Sequence, residues 1–205
     1  MSRYLIGARI IGLVVALFVA ALLSAARADA PGASMPVQAI DEVRRAYAQC
    51  REVQKQASAI DLYQRRAGTP AVRTWQREPP PEAERTGRTM KLFTASGALR
   101  TAVEDVAAPS GDWRQTIEHC FRRDGSVAFV LTVLRTFHGD VQVEDRLYFN
   151  PGGERIRTLR NVSDLKTGKP VKPDEASFIS PKLQVFRTAD ELLKAVGPAA
   201  LPGAK

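Results

Sequence analysis

The sequence predicts an α+β fold in which a curved antiparallel β-meander of six to eight strands packs on an N-terminal amphipathic helix, with a short C-terminal helix. A Phe-x-x-x-Gly motif recurs every 28 residues, at 93–97, 121–125 and 149–153. An apolar stripe at helical spacing precedes this repeat, over residues 37–56. Together the two patterns predict a helix followed by a row of hairpins.

Each repeat glycine follows Ser96, Asp124 or Gly152 and lies between two apolar runs, which is a strong hairpin signal. Self-similarity at this period indicates stacked supersecondary units, and the hairpin repeats are expected over residues 57–168. In the third copy the aliphatic residue, Ile156, stands one place later than in the others. One extra residue in a strand predicts a β-bulge there.

Alternation along the strands separates a core face from a solvent face. Trp113, Ile117 and Phe121 share the core face, whereas Glu118 falls on the other. The three repeat phenylalanines are expected side by side on the core face, beneath the N-terminal helix. Residues 127–137 are apolar on both phases, so this strand should be central and covered on both sides.

The N-terminal helix is indicated by apolar side chains at steps of three and four, at Ile40, Val43, Tyr47 and Cys50. Charged residues occupy the remainder of its helical wheel. Such a helix needs an apolar partner, and the meander is the only large one.

Two further segments flank the repeat. Residues 57–77 alternate on either side of a Gly-Thr-Pro turn and predict a degenerate fourth hairpin. After the repeat, a short strand within 178–186 precedes a helix at 188–196. That helix opens with a capping box, in which Thr188 is the N-cap and Glu191 reaches back to it.

Residues 1–30 have the features of a secretory signal peptide. Arg3 and Arg9 provide a basic start, and the apolar run 10–23 is short for a membrane span. Ala28-Asp29-Ala30 is an Ala-x-Ala cleavage site. A retained membrane anchor is the alternative.

Cleavage near Ala30 would leave a chain of a size that suits one domain. We expect that domain over residues 31–198, with a flexible tail at 199–205. The protein would then be periplasmic or extracellular, and it would meet the membrane only through its signal peptide before cleavage.

The chain has two cysteines, Cys50 and Cys120, and an exported chain with two cysteines favours a disulfide. Phase counting, however, places Cys120 opposite Phe121, beside Leu92 and Tyr148. A helix on the phenylalanine face would therefore keep the two sulfurs apart. Either the helix covers the row of Cys120, or it crosses near a strand end, or both thiols stay free.

Candidate catalytic groups are few, and the sequence predicts no catalytic residue, metal site or cofactor. His119 falls on the core-facing phase, and His138 belongs to a His-Gly-Asp turn. Glu118, Glu144 and Asp145 are acidic residues on neighbouring strands, which leaves a carboxylate pair open.

The formal net charge of the chain is +8, which favours anionic partners by long-range attraction. For an exported protein these would be acidic lipid headgroups, cell-wall polymers or acidic protein surfaces, and not nucleic acid. The arginines cluster at Arg44/Arg45, Arg65/Arg66, Arg122/Arg123 and Arg155/Arg157/Arg160.

The motif at Tyr148-Phe149-x-x-x-Gly153, with echoes at Leu92-Phe93 and Cys120-Phe121, resembles that of a group of uncharacterised exported bacterial proteins. Those proteins carry an N-terminal helix and hairpins that read roughly Tyr-Tyr-Phe-x-x-Gly-Lys-Leu. The likeness covers residues 37–165 and departs at the Lys-Leu step. It implies a fold and a location, with no activity or site residues.

The leading hypothesis is a non-enzymatic periplasmic or cell-envelope module that binds a ligand or partner on its concave face or an exposed edge. Trp113, Phe129 and Tyr148 are the candidate binding residues. One alternative is a small periplasmic hydrolase that uses carboxylates or His119 and His138, which a polar cluster in a well-formed pocket would favour. Another is a purely structural envelope protein, which predicts no pocket.

Overall fold

The computed structural model describes residues 37–68, 72–137, 139–172 and 182–200. The predicted signal peptide and His138 lie outside these ranges. The helices are α1 (Val37–Gln56) and α2 (Ala189–Val196), with 3₁₀ turns at Glu82–Glu84 and Pro198–Ala200. The strands are β1 (Ile60–Ala67), β2 (Val72–Gln76), β3 (Arg85–Ala95), β4 (Ala98–Ala107), β5 (Trp113–Phe121), β6 (Val127–Thr136), β7 (Val141–Phe149) and β8 (Arg155–Asp164).

All eight strands form one antiparallel sheet in the order β2-β1-β3-β4-β5-β6-β7-β8. Strands β3 to β8 follow one another as the hairpin repeat predicts, and the α+β class with a helix at each end is confirmed. The degenerate hairpin of β1 and β2 is present too. It joins the sheet through β1, so β2 becomes the edge strand.

Helix α1 lies on the face of the sheet that carries Cys120, Phe129 and Tyr148. The expectation that it covers the three repeat phenylalanines is wrong. Phe121 and Phe149 belong to the opposite face, in the core cluster that α2 completes. Leu92, expected beside Cys120, lies in that second cluster as well.

The register of the strands explains why Phe93 does not share a face with Phe121 and Phe149. Phe93 pairs with Thr101, which in turn pairs with Cys120, so Phe93 occupies the row of Cys120 rather than that of Phe121. The pairing aligns β3 with β5 residues 27 positions later, from Phe93 to Cys120, and β5 with β7 residues 28 positions later, from Cys120 to Tyr148. The 28-residue spacing therefore keeps Phe121 and Phe149 on one face and puts Phe93 on the other, because side chains alternate with a period of two.

The β-bulge expected at Ile156 is present, since Tyr148 pairs with Arg157 and Phe149 with Arg155. The same shift skips Arg100 in the first hairpin and Ala128 in the second. The bulge is thus a feature of every repeat hairpin.

The face opposite α1 is covered by α2 and by residues 182–188, which we call the strap. Leu192 and Val196 of α2 are buried there, and Ala200, expected in the tail, is buried with them. Strand β6 is covered on both sides as predicted, because its Phe129 packs towards α1 and its Val130 towards α2.

The strap and the start of α2 differ in detail from the predicted capping box and strand. Thr188 Oγ1 accepts from the Glu191 N–H at 3.1 Å, so Thr188 is the N-cap. The Glu191 carboxylate instead accepts from the backbone of Arg187, at 2.7 Å. Residues 182–186 do not form a strand, and 178–181 lie outside the described residues.

Cys50 of α1 and Cys120 of β5 form a disulfide, with Cα atoms 5.9 Å apart. The pairing is possible because α1 covers the row of Cys120. A disulfide fits a protein that folds outside the reducing cytoplasm. Among the described residues, no helix is long and apolar enough to cross a membrane.

Candidate functional site

A cavity of about 660 Å³ lies on the α2 side of the sheet, and we call it the core-face cavity. One wall is the strap, and the others are strands β3, β4 and β5. Its lining among the described residues consists of Arg88, Glu104, Val106, Trp113, Gln115, Ile117 and 182–185. Its volume is within the range usual for small-molecule sites.

Strand pairing brings the polar lining together. Glu104 of β4 pairs with Met90 of β3 and with Ile117 of β5, so all three share the core face. Arg88 and Gln115 stand two positions from Met90 and Ile117 on the same phase. The polar side chains therefore meet on the face of the sheet that carries the larger apolar core cluster.

Glu104 and Arg88 form an ion pair in the cavity wall. Arg88 donates from Nε at 2.8 Å and from Nη2, and both contacts fall on Oε1 of Glu104. No described residue donates to Oε2. Burial raises the pKa of the Glu104 carboxyl, and the Arg88 charge and hydrogen bond oppose that rise.

Gln115 is also buried in this wall, with 6% of its surface exposed, compared with 5% for Glu104. No described residue forms a hydrogen bond to its side-chain amide. Buried polar groups are normally paired. The wall therefore presents a carboxylate oxygen and an amide that both have unused hydrogen-bonding capacity.

His119 anchors the strap that closes one side of the cavity. Its Nε2 accepts from the backbone N–H of Phe186 at 3.2 Å, and its ring stacks near Phe121. Burial lowers the pKa of His119 to about 4, so the ring is neutral at pH 7. His119 is therefore a core residue that positions Phe186 and its neighbours.

The three binding residues predicted from the sequence fall on two faces. Trp113 lines the core-face cavity. Phe129 and Tyr148 lie on the α1 side, with ring centroids 5.0 Å apart, and Tyr47 of α1 is 4.5 Å from Phe129. These aromatics line a smaller cavity of about 360 Å³. The structure does not bring Trp113 together with the other two.

The acidic residues noted as a possible carboxylate pair each lie near an arginine, which for Glu118 is Arg51 at 3.6 Å. Asp145 receives two hydrogen bonds of 2.7 Å from Arg160. Glu144, which points to the opposite face, is 2.7 Å from Arg146. Glu118 accepts from Gln54 of α1 at 2.7 Å. Among the described residues, no three His, Cys, Asp or Glu side chains converge to hold a metal ion.

Comparisons with known proteins do not identify a family for this chain. No protein-family model, curated protein or solved structure matches this chain. The resemblance to exported hairpin proteins therefore stays a prediction, and the geometry of the cavities is the guide to function.

Sequence reasoning missed Arg88 and Glu104, although a signal was present. Glu104 stands two places from Ala102 and from Val106, on the apolar phase of β4. Arg88 stands in the same way two places from Met90 on β3. An acid and an arginine on the apolar phases of adjacent strands indicate a buried ion pair, once the register of those strands is known.

Proposed function

We propose that this protein is an exported, non-enzymatic binding module of the periplasm or cell envelope, which takes a small ligand in the core-face cavity. One observation carries the proposal: Glu104 Oε2 and the Gln115 amide have no hydrogen-bond partner among the described residues, and they line a cavity beside the apolar side chains of Val106, Trp113 and Ile117. The Cys50–Cys120 disulfide supports export, because such bonds persist in oxidising compartments.

The lining defines the chemistry of the ligand. An ionised Glu104 can only accept hydrogen bonds, whereas the Gln115 amide can donate or accept. The ligand should therefore carry a donor such as a hydroxyl or amine. Trp113, Ile117 and Val106 provide apolar surface for the remainder of the ligand. An amphipathic molecule with a donor-bearing head fits this description.

One observation favours a hydrolase as the second candidate. Glu104 is a buried carboxyl with a raised pKa in a cavity, which is what a general acid requires. Acid–base hydrolysis also needs a partner group, such as a second carboxylate or an activated nucleophile. The described lining residues contain one carboxylate and no His, Ser or Cys. Binding therefore accounts for the lining better than catalysis does.

The first prediction tests ligand binding with Trp113 as the reporter. The chain has two tryptophans, so a Trp75→Phe variant leaves Trp113 as the only one. We expect its fluorescence to change saturably with medium-chain alcohols or amines, and more weakly with the matching carboxylates. Glu104→Gln in that background should weaken binding about tenfold, because hydrogen bonds to a charged group are strong.

Glu144→Gln is the matched control, since it removes a carboxylate from the opposite face of the sheet. It should leave the Trp113 titration unchanged. A failure of every probe to give a saturable signal would refute the proposal, as would equal losses in the two variants. Release of a hydrolysis product from ester probes, abolished by Glu104→Gln, would favour the second candidate.

A further inference from the structure

A second cavity, of about 750 Å³, lies on the opposite side of the sheet, beside the last turns of α1 and the β3–β4 turn. We call it the helix-edge cavity. Arg100, the bulge residue of β4, lines it and is only 7% exposed. Its carbonyl oxygen lies 3.3 Å from the Cys50 sulfur, so the disulfide packs against its backbone.

The Arg100 guanidinium has no counter-ion among the described residues. Its Nε donates to the Phe121 carbonyl at 3.1 Å, and no described residue accepts from its two terminal nitrogens. Glu52 also lines the cavity, but its carboxylate is 2.7 Å from Lys55 Nζ. Burial lowers the pKa of Arg100, and the charge of Arg123 adds to this effect.

A guanidinium stays protonated in proteins, so Arg100 presents a positive charge to the cavity with no counter-ion among the described residues. A bound anion would neutralise that charge. We propose that the helix-edge cavity binds a phosphate group between Arg100 and Arg123. The two terminal nitrogens of Arg100 can donate side by side, which suits bidentate contact with an oxyanion. Two arginines match the charge of a phosphate monoester, roughly −1.5 to −2, better than that of a carboxylate.

The same chemistry has two sources in a cell envelope, free phosphate and the headgroup of an anionic phospholipid. The proposal does not depend on the core-face cavity, because the two cavities lie on opposite faces of the sheet.

The second prediction measures phosphate binding with two probes. Inorganic phosphate is titrated by calorimetry at constant ionic strength, and vesicles with and without phosphatidic acid, whose headgroup is a phosphate monoester, are tested by co-sedimentation. We expect the wild-type protein to bind at least one probe. Arg100→Gln and Arg123→Gln should each weaken that binding about tenfold or more, because a charge-assisted hydrogen bond is lost.

Arg66→Gln/Arg73→Gln is the control variant. These two arginines pair across β1 and β2, and both are exposed. Removing them lowers the net charge without touching the cavity, so affinity should stay within about twofold, since separated exposed charges are screened by salt. Binding of phosphate alone would identify the free anion, and binding of vesicles alone the lipid headgroup.

Absence of binding to both probes would overturn the proposal. An equal loss in the control variant would do so too, because overall charge would then explain the effect. If Arg100→Gln alters the circular dichroism spectrum, Arg123→Gln decides, since that side chain makes no hydrogen bond to a described residue.

Discussion

His119 shows how one residue can couple the stability of this protein to pH. Its ring is 2% exposed, between Phe121 and Phe186, and Nε2 serves as an acceptor. Protonation would turn that acceptor into a donor facing the Phe186 N–H. The folded protein therefore binds this proton only at about pH 4, well below the pH at which an unfolded histidine binds it.

The third prediction concerns acid unfolding. The pKa of His119 is lower in the folded protein than in the unfolded chain. The stabilisation by its neutral ring is therefore fully present above about pH 6.5 and is lost as the pH falls towards 4. Between pH 7 and 4 the wild-type free energy of unfolding should fall by about 3 kcal/mol more than that of His119→Gln. Urea unfolding at both pH values measures this difference.

Burial raises the pKa values of the Glu104 and Glu118 carboxyls, so their protonation favours the folded state as the pH falls. Both glutamates are present in the wild type and in His119→Gln, so their effect on the pH dependence of stability cancels when the two proteins are compared. Equal pH dependence of wild type and His119→Gln would show that the imidazole does not stay neutral in the fold.

At the scale of single elements, strand β3 carries a tight backbone contact with β4. Gly87 has a φ of +72°, and a Cβ added there would stand 2.8 Å from the carbonyl oxygen of Ala107. Gly97 in the β3–β4 turn has nearly the same φ, +77°, but a Cβ there would meet nothing within 4 Å. The two glycines thus separate the cost of backbone conformation from the cost of a collision.

The fourth prediction compares alanine at these two positions. Gly97→Ala should lower the free energy of unfolding by about 1 kcal/mol, which is the cost of a left-handed conformation. Gly87→Ala should cost about 1–3 kcal/mol more, because the methyl group forces β3 and β4 apart. Chemical unfolding of both variants measures the difference. Equal losses would mean that the strands adjust without cost.

In the whole molecule, the sheet is covered on both faces by different means. The disulfide ties α1 to one face, whereas the buried side chains of α2, Leu192 among them, pack against the other. The two cysteines are 70 residues apart in sequence, so the bond closes a long loop in the unfolded chain. In the chain-entropy model, a disulfide that closes such a loop stabilises the folded protein by about 4 kcal/mol.

The fifth prediction is that reduction destabilises the protein by about 4 kcal/mol, because the unfolded chain regains that entropy. Denaturant unfolding with and without reductant measures the change. The Cys50→Ala/Cys120→Ala variant should show the lower stability in both conditions. An unchanged wild-type curve, with free thiols demonstrated by titration, would contradict this account.

The sequence by itself determined the hairpins of β3 to β8 and the two helices, because alternation, turn glycines and capping act between near neighbours in the chain. Only the tertiary structure decided which helix covers which face. The register between β3 and β5 likewise puts Phe93 in the row of Cys120 and Tyr148, although its spacing from Phe121 is the same as that of Phe121 from Phe149. The Glu104–Arg88 pair and the buried Arg100 likewise arise from strand register and helix docking, which no local pattern encodes.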